Sequence, residues 1–368
     1  MKSKKLDLDT SFAIKGIAIL MMLFHHLFRN GLSVHTDYNI SYFPFPEVNI
    51  CNLATMFKIC VSLFAFVSGY GLYLNYKSTT MSSAKWVIKR EIKLLSSFWG
   101  IVLLCWGICQ AIDGYTIKQY FGDGLYRGIA NMVIEFFGCA NLFGTPTLNV
   151  NWWYMSAGVV FIFLVPLIVT YEDKILSIVL IIIAIPRVLG IGYLGGMSAY
   201  SFVLAFVSGM IFAKYEIIFK WLNNKQNKNG IGVFCAIIEL IILLIGYKFY
   251  RKLPMEIFWE FHFCLYPLEI IVFCIKYIVY IPIVRNVLIF MGRNSAYIYI
   301  IHAFILLYLR DFIYEMPHFI ISYIILLGIS LIFSSIIRWL EDVIAYNRLI
   351  NKVCESIEDI EAFYKNKR

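Results

Sequence analysis

Apolar residues in this chain come in long runs, and polar residues cluster in the short stretches between them. A helix that crosses a bilayer needs about 20 mostly apolar residues. Runs of that kind lie at 11–29, 50–74, 94–112, 152–170, 174–194, 197–213, 230–247, 257–281, 284–309 and 317–339. The pattern predicts an all-α polytopic membrane bundle of about ten transmembrane helices. The stretch 125–148 is apolar only in part and is broken by Gly138, Gly144 and Pro146. It predicts a re-entrant or interfacial element rather than a span. Residues 1–340 read as a single transmembrane domain, and 341–368 as a short charged tail, helical at the interface. No internal repeat is visible.

Composition agrees. Of the 368 residues, 61% are hydrophobic and 15% charged, against about 45–50% and 25% in soluble domains. A disordered chain, a coiled coil and a disulfide scaffold are excluded. The net charge of +9 does not imply a nucleic-acid partner, because the basic residues flank the apolar runs. Cytoplasmic loops of membrane proteins are rich in Lys and Arg. With ten spans, both termini fall on the cytoplasmic side together with Lys77, Lys85, Lys89, Arg90, Lys93, Lys174, Lys214, Arg285 and Arg338. Arg29, Lys118, Arg127, Lys248, Arg251, Lys252 and Arg310 fall outside. The outer cluster Lys248–Lys252 has two readings: snorkelling to headgroups, or a landing site for an anionic acceptor. The nine cysteines show no C-x-x-C spacing and read as small packing residues; no metal site is expected. The Ile-, Lys- and Asn-rich usage suits the cytoplasmic (inner) membrane of a low-GC bacterium.

Ionisable residues inside spans are costly and mark functional candidates. They are Lys15, His25, His26, Lys58, Arg187, Glu239, Glu260, His262, Glu269, Arg293 and His302. Eleven helical steps separate Lys15 from His26, about 16 Å along the axis and nearly back to the starting direction. The two share one stripe, and His25 points elsewhere. Ser295 and His302 share a face by the same geometry. His26, Lys58, His262 and His302 fall in the outer half of their spans, which suggests a cavity between midplane and outer face. At the cytoplasmic end, Arg90 and Lys93 are three apart and face one way. They are either a plain positive-inside flank or a clamp for a phosphorylated ligand.

These residues resemble a known family, acyltransferase family three, the integral-membrane enzymes that O-acylate bacterial surface glycans. Lys15-Gly16-Ile17-Ala18 followed by His26 resembles its Arg/Lys, ten residues, His pattern, and the spacing selects His26. Phe64-Ala65-Phe66-Val67-Ser68-Gly69-Tyr70 resembles its Phe-rich stretch ending Ser-Gly. Arg90-Glu91-Ile92-Lys93 resembles Arg-x-x-Arg, with Lys93 in place of the second Arg. Gly292-Arg293-Asn294-Ser295 through Tyr299 to His302 resembles the late Gly-x-x-Ser…Tyr…His segment, and Asn151-Trp152-Trp153-Tyr154-Met155 the tryptophan-rich entry to a span. The resemblance implies acetyl-CoA or another acyl-CoA as donor substrate, no permanently bound cofactor, and a glycan or lipid-linked oligosaccharide acceptor. Arg90 and Lys93, with Lys15 nearby, would hold the donor. His26 would be the catalytic base or acyl carrier, and His302 a second catalytic or acceptor-orienting residue supported by Ser295. His25, Lys58, Ser68 and Trp153 would shape the substrate channel. A secondary transporter or glycolipid flippase is the alternative reading.

Overall fold

In the computed structural model the described residues are 6–32, 37–188, 200–216, 231–250, 252–254, 258–278 and 281–365. Every regular element among them is a helix, apart from one isolated bridge between Ser41 and His318. Arg251 and the side chain of Arg187 lie outside the described set.

The main helices are α1 (Leu8–Phe28), α2 (Glu47–Lys77, with a 3₁₀ turn at Phe57–Ile59), α3 (Ser83–Asp113), α4 (Leu125–Phe136) and α5 (Trp153–Thr170). They continue with α6 (Ile175–Val188), α7 (Tyr200–Tyr215), α8 (Ile231–Tyr250), α9 (Tyr266–Lys276), α10 (Pro282–Tyr308), α11 (Phe319–Val343) and α12 (Tyr346–Lys365). Among the described residues, six segments are long and apolar enough to cross a membrane: α1, α2, α3, Val150–Thr170, α10 and α11. The other four runs expected from the sequence coincide with α6, α7, α8 and α9. Of these, α6, α7 and α9 are shorter, with 14, 16 and 11 residues. A π turn over Phe261–Leu265 leads into α9.

Helix ends sort into two rims. At one rim Tyr73 donates to Glu172 (2.9 Å), Lys77 pairs with Glu172 (3.2 Å), and Lys214 donates to the Glu172 carbonyl (2.9 Å). Arg285 and Arg293 pair with Asp9 there (3.3 and 3.5 Å). This basic rim is here called the inner end. At the outer end Arg310 pairs with Asp37 (3.1 Å), and Tyr314 donates to the Leu27 carbonyl (3.0 Å).

Lipid tails are as apolar as the helices, so close backbone packing has to hold a membrane bundle together. Two crossings do so with reciprocal glycines. A Cβ on Gly16 of α1 would overlap the Leu288 carbonyl of α10, and one on Gly292 of α10 would overlap the Phe12 carbonyl of α1. Gly69 of α2 and Gly209 of α7 meet the Phe206 and Phe66 carbonyls in the same way. Three glycines of the sequence motifs are therefore packing elements.

The 125–148 stretch folds inward. Gly138 lies against Leu95 of α3 and against Met155 and Val159 of α5. Leu95 is twelve residues into α3, about 18 Å along its axis. Trp99 stacks on Phe136 and donates to its carbonyl (2.9 Å), and Ser156 donates to the Gly138 carbonyl (2.6 Å). Buried Glu135 ties the returning limb. It accepts from the Thr147 hydroxyl, from the Leu148 amide (3.0 Å) and from the Trp106 indole (3.3 Å). The segment is a helical hairpin packed on α3 and α5. After α11, helix α12 folds back onto α3, where Tyr346 donates to the Ser96 carbonyl (2.9 Å).

Candidate functional site

One cavity of about 1090 Å³ runs through the bundle. That is at the upper limit of the roughly 300–1,000 Å³ usual for a small-ligand site. Leu8, Lys15, Asn75, Arg90 and Lys93 line its inner lobe, and Arg29, Asn30, Asn52, Lys58 and Leu253 its outer lobe. His26, Ser68, Trp153, Tyr154, Ser295 and Tyr299 line the middle.

Helix α1 starts from a capped turn in which Asp7 accepts from the Thr10 amide (2.7 Å), a favourable N-cap. Its Lys15 and His26, eleven residues apart, both face the cavity. His25 lines the cavity too, but its Nδ1–H donates to the Ala54 carbonyl (2.7 Å). The His25 and His26 rings meet at 5.2 Å between centroids.

His302 does not line the cavity. It is fully buried behind His26, with ring centroids 4.8 Å apart. Its Nδ1 lies 2.7 Å from the Tyr299 carbonyl and 3.2 Å from the Ile298 carbonyl. Carbonyls only accept, so Nδ1 carries the proton and Nε2 the lone pair. Nε2 is buried without a hydrogen-bond partner among the described residues. An acceptor nitrogen left without a donor beside the His26 ring is an arrangement that can hold a His26 N–H.

Tryptophans and tyrosines fix the walls. Trp152 donates to the Ile300 carbonyl (3.0 Å) and so ties the start of α5 to α10. Tyr299 donates to the Asn151 carbonyl, and the Tyr154 and Tyr299 rings meet edge-on at 6.1 Å. Trp153 packs on Phe202 at 5.6 Å. Ser295 donates back to the Gly292 carbonyl (2.8 Å), the usual behaviour of a helix-interior serine.

On the inner side, the Arg90 guanidinium lies over the Trp86 ring, 5.8 Å from its centroid. Its Nε is buried without a hydrogen-bond partner among the described residues. Lys93, one turn on, lines the same lobe. Two cations on consecutive turns, braced by an aromatic face, suit phosphate oxygens.

Other candidates go elsewhere. Glu239 pairs with Lys276 (2.7 Å), and Glu269 accepts from Tyr250 (3.2 Å). Arg293 leaves the cavity for Asp9 and the Phe12 ring. His262 does line the cavity, from the π turn. Sequence reasoning missed Tyr247, Tyr250 and Asn75. Tyrosines near helix ends read equally well as an interfacial belt, and nothing in their spacing separated the two roles.

A helical bundle with apolar spans and an internal cavity lined by histidine side chains is the architecture of a multi-pass membrane protein. Residues 7–339 match the family model described as an acyltransferase domain. The chain belongs to acyltransferase family 3. No curated protein and no solved structure matches it.

Proposed function

We propose that this membrane acyltransferase is an O-acyltransferase that moves an acyl group, acetyl first among candidates, from acyl-CoA to a glycan or lipid-linked oligosaccharide hydroxyl. The observation that carries the reading is the continuity of one cavity past His26, with Arg90 and Lys93 among its lining at one end and Arg29 and Lys58 at the other. Donor and acceptor then enter from opposite sides and meet at the imidazole. In this reading the protein sits in a bacterial cytoplasmic membrane with about ten spans, both termini inside, and the Arg90 rim facing the cytoplasm.

The chemistry balances on these residues. Arg90, Lys93 and Lys15 hold the donor phosphates and leave the thioester arm pointing into the chamber. Neutral His26 removes the acceptor hydroxyl proton as the oxygen attacks the thioester carbonyl. The C–S bond breaks, and the imidazolium returns the proton to the departing thiolate. The products are an ester and free CoA. His302 is the positioning residue: its buried Nε2, beside the His26 ring, would accept the His26 N–H as the site closes on substrate and so leave the other His26 nitrogen unprotonated toward the cavity. Ser68, Trp153 and Ser295 shape the channel in which the two substrates meet.

The test is transfer of labelled acetyl from acetyl-CoA into glycan or glycolipid by membranes carrying wild type or His26→Ala. Label incorporated only by wild type supports the reading. Full incorporation by His26→Ala, or no consumption of acyl-CoA by wild type, overturns it.

A further inference from the structure

The outer lobe is built differently from a neutral sugar cleft. Arg29 and Lys58 both line the mouth. Beside them Tyr247 and Tyr250 form a wall from the end of α8, and the Tyr247 hydroxyl is buried with no partner among the described residues. Tyr250 packs against Tyr266 at 4.8 Å between centroids, which sets its ring as a firm surface. Two further cations, Lys248 and Lys252, are exposed on the same segment. Asn30 and Asn52 are joined by an amide hydrogen bond (3.1 Å) at the rim.

An aromatic wall covers the apolar face of a pyranose, and polar tips take its hydroxyls. A pair of cations lining one lobe suits an oxyanion, which each can meet with a charge-assisted hydrogen bond. Positive charge on the outer side also runs against the usual distribution in membrane proteins, and a ligand accounts for it.

We infer that the outer lobe is a subsite for a glycan that carries an oxyanion, either a uronate carboxylate or the phosphate linking the glycan to its lipid carrier. The sugar ring lies on Tyr247 and Tyr250, and the oxyanion sits between Arg29 and Lys58. The inference rests on the acyltransfer reading for the role of that glycan as acceptor, while its binding needs no acyl donor.

Isothermal titration calorimetry tests it on the full chain in nanodiscs of zwitterionic lipid, without acyl-CoA. The probes are galactobiose, digalacturonate, and galactobiose joined through phosphate to a citronellyl chain. Digalacturonate or the phosphate-linked probe binds about tenfold tighter than galactobiose, the scale of one charge-assisted contact. Whichever gains identifies the source of the oxyanion. The advantage disappears in Arg29→Gln/Lys58→Gln and persists in Arg29→Lys/Lys58→Arg, which separates charge from misfolding. Equal binding of all three probes, no binding of any, or an advantage that survives neutralisation of both cations overturns the inference. Preferential binding without acyl transfer in the labelled-acetyl assay would leave the subsite standing and remove the enzymatic reading.

Discussion

The inner and outer lobes of the cavity do similar electrostatic work with different architecture. The inner cations Arg90 and Lys93 stand on consecutive turns of α3, a 31-residue helix against which α12 folds back. The outer lobe is assembled from the end of α1, the start of α2, the end of α8 and a π turn before α9. A π turn is a local departure from regular helix and is common at functional sites. One rigid helix suits a ligand whose phosphates keep a constant geometry. A mouth pieced from four segments changes shape with small shifts in any of them. The comparison teaches that one chamber can bind a conserved group at one end and adapt to a particular partner at the other.

Five outcomes break or sharpen that contrast. His26→Ala, at the junction of the lobes, lowers kcat by about 10²–10⁴-fold, the range of a lost general base. His25→Ala lowers it far less, because His25 is held to Ala54; the reverse order, read by acetyl transfer, would move the chemistry to His25. His302→Gln lowers kcat about tenfold to a hundredfold with both KM values held and shifts the pH profile of kcat, as loss of an orienting partner should. An unchanged profile would make His302 a packing residue.

Arg90→Ala raises the acyl-CoA KM about tenfold or more and leaves the acceptor KM unchanged. A donor KM that does not move would remove the inner clamp. Gly292→Leu forces α1 and α10 apart and costs about 1–3 kcal/mol of stability. Gly209→Leu does the same to α2 and α7, and thermal unfolding in detergent reads both. The smallest effect is at the inner rim. Burial pushes the Glu172 carboxyl up, but donation from Tyr73 and Lys77 and the charges of Lys214 and Lys77 outweigh it and hold it below its ordinary value. Its contribution is therefore present above the ordinary carboxylate range and is lost as pH falls through the lowered value. Glu172→Gln lowers stability slightly at neutral pH, and the difference from wild type disappears as pH falls through that acid window.

Much of the fold was legible because a spanning helix declares itself locally, by about 20 apolar residues in a row. The described parts of the ten runs fall on helices, six of them long and apolar enough to cross a membrane, and the broken stretch 125–148 turns back at Gly138. Parts of the site were legible for a related reason. A spacing of eleven puts Lys15 and His26 on one stripe, and a spacing of three puts Arg90 and Lys93 on one face, whatever surrounds them. The sequence by itself also carried the family, through short motifs in order along the chain.

Tertiary structure alone decided which stripes meet. His26 and His302 are 276 positions apart, and only the glycine crossing of α1 on α10 brings their rings to 4.8 Å. That packing put His302 behind His26 rather than on the cavity wall. It sent Arg293 to Asp9, and it turned Glu135 into the tie of the 125–148 hairpin. It also gathered Arg29, Lys58, Tyr247 and Tyr250 into one mouth. The physical reason is one of range. Helical periodicity is set by neighbours within a few residues, so it can be read from spacing. The facing of one helix to another depends on close backbone contacts between segments distant along the chain, and these exist only once the bundle has packed.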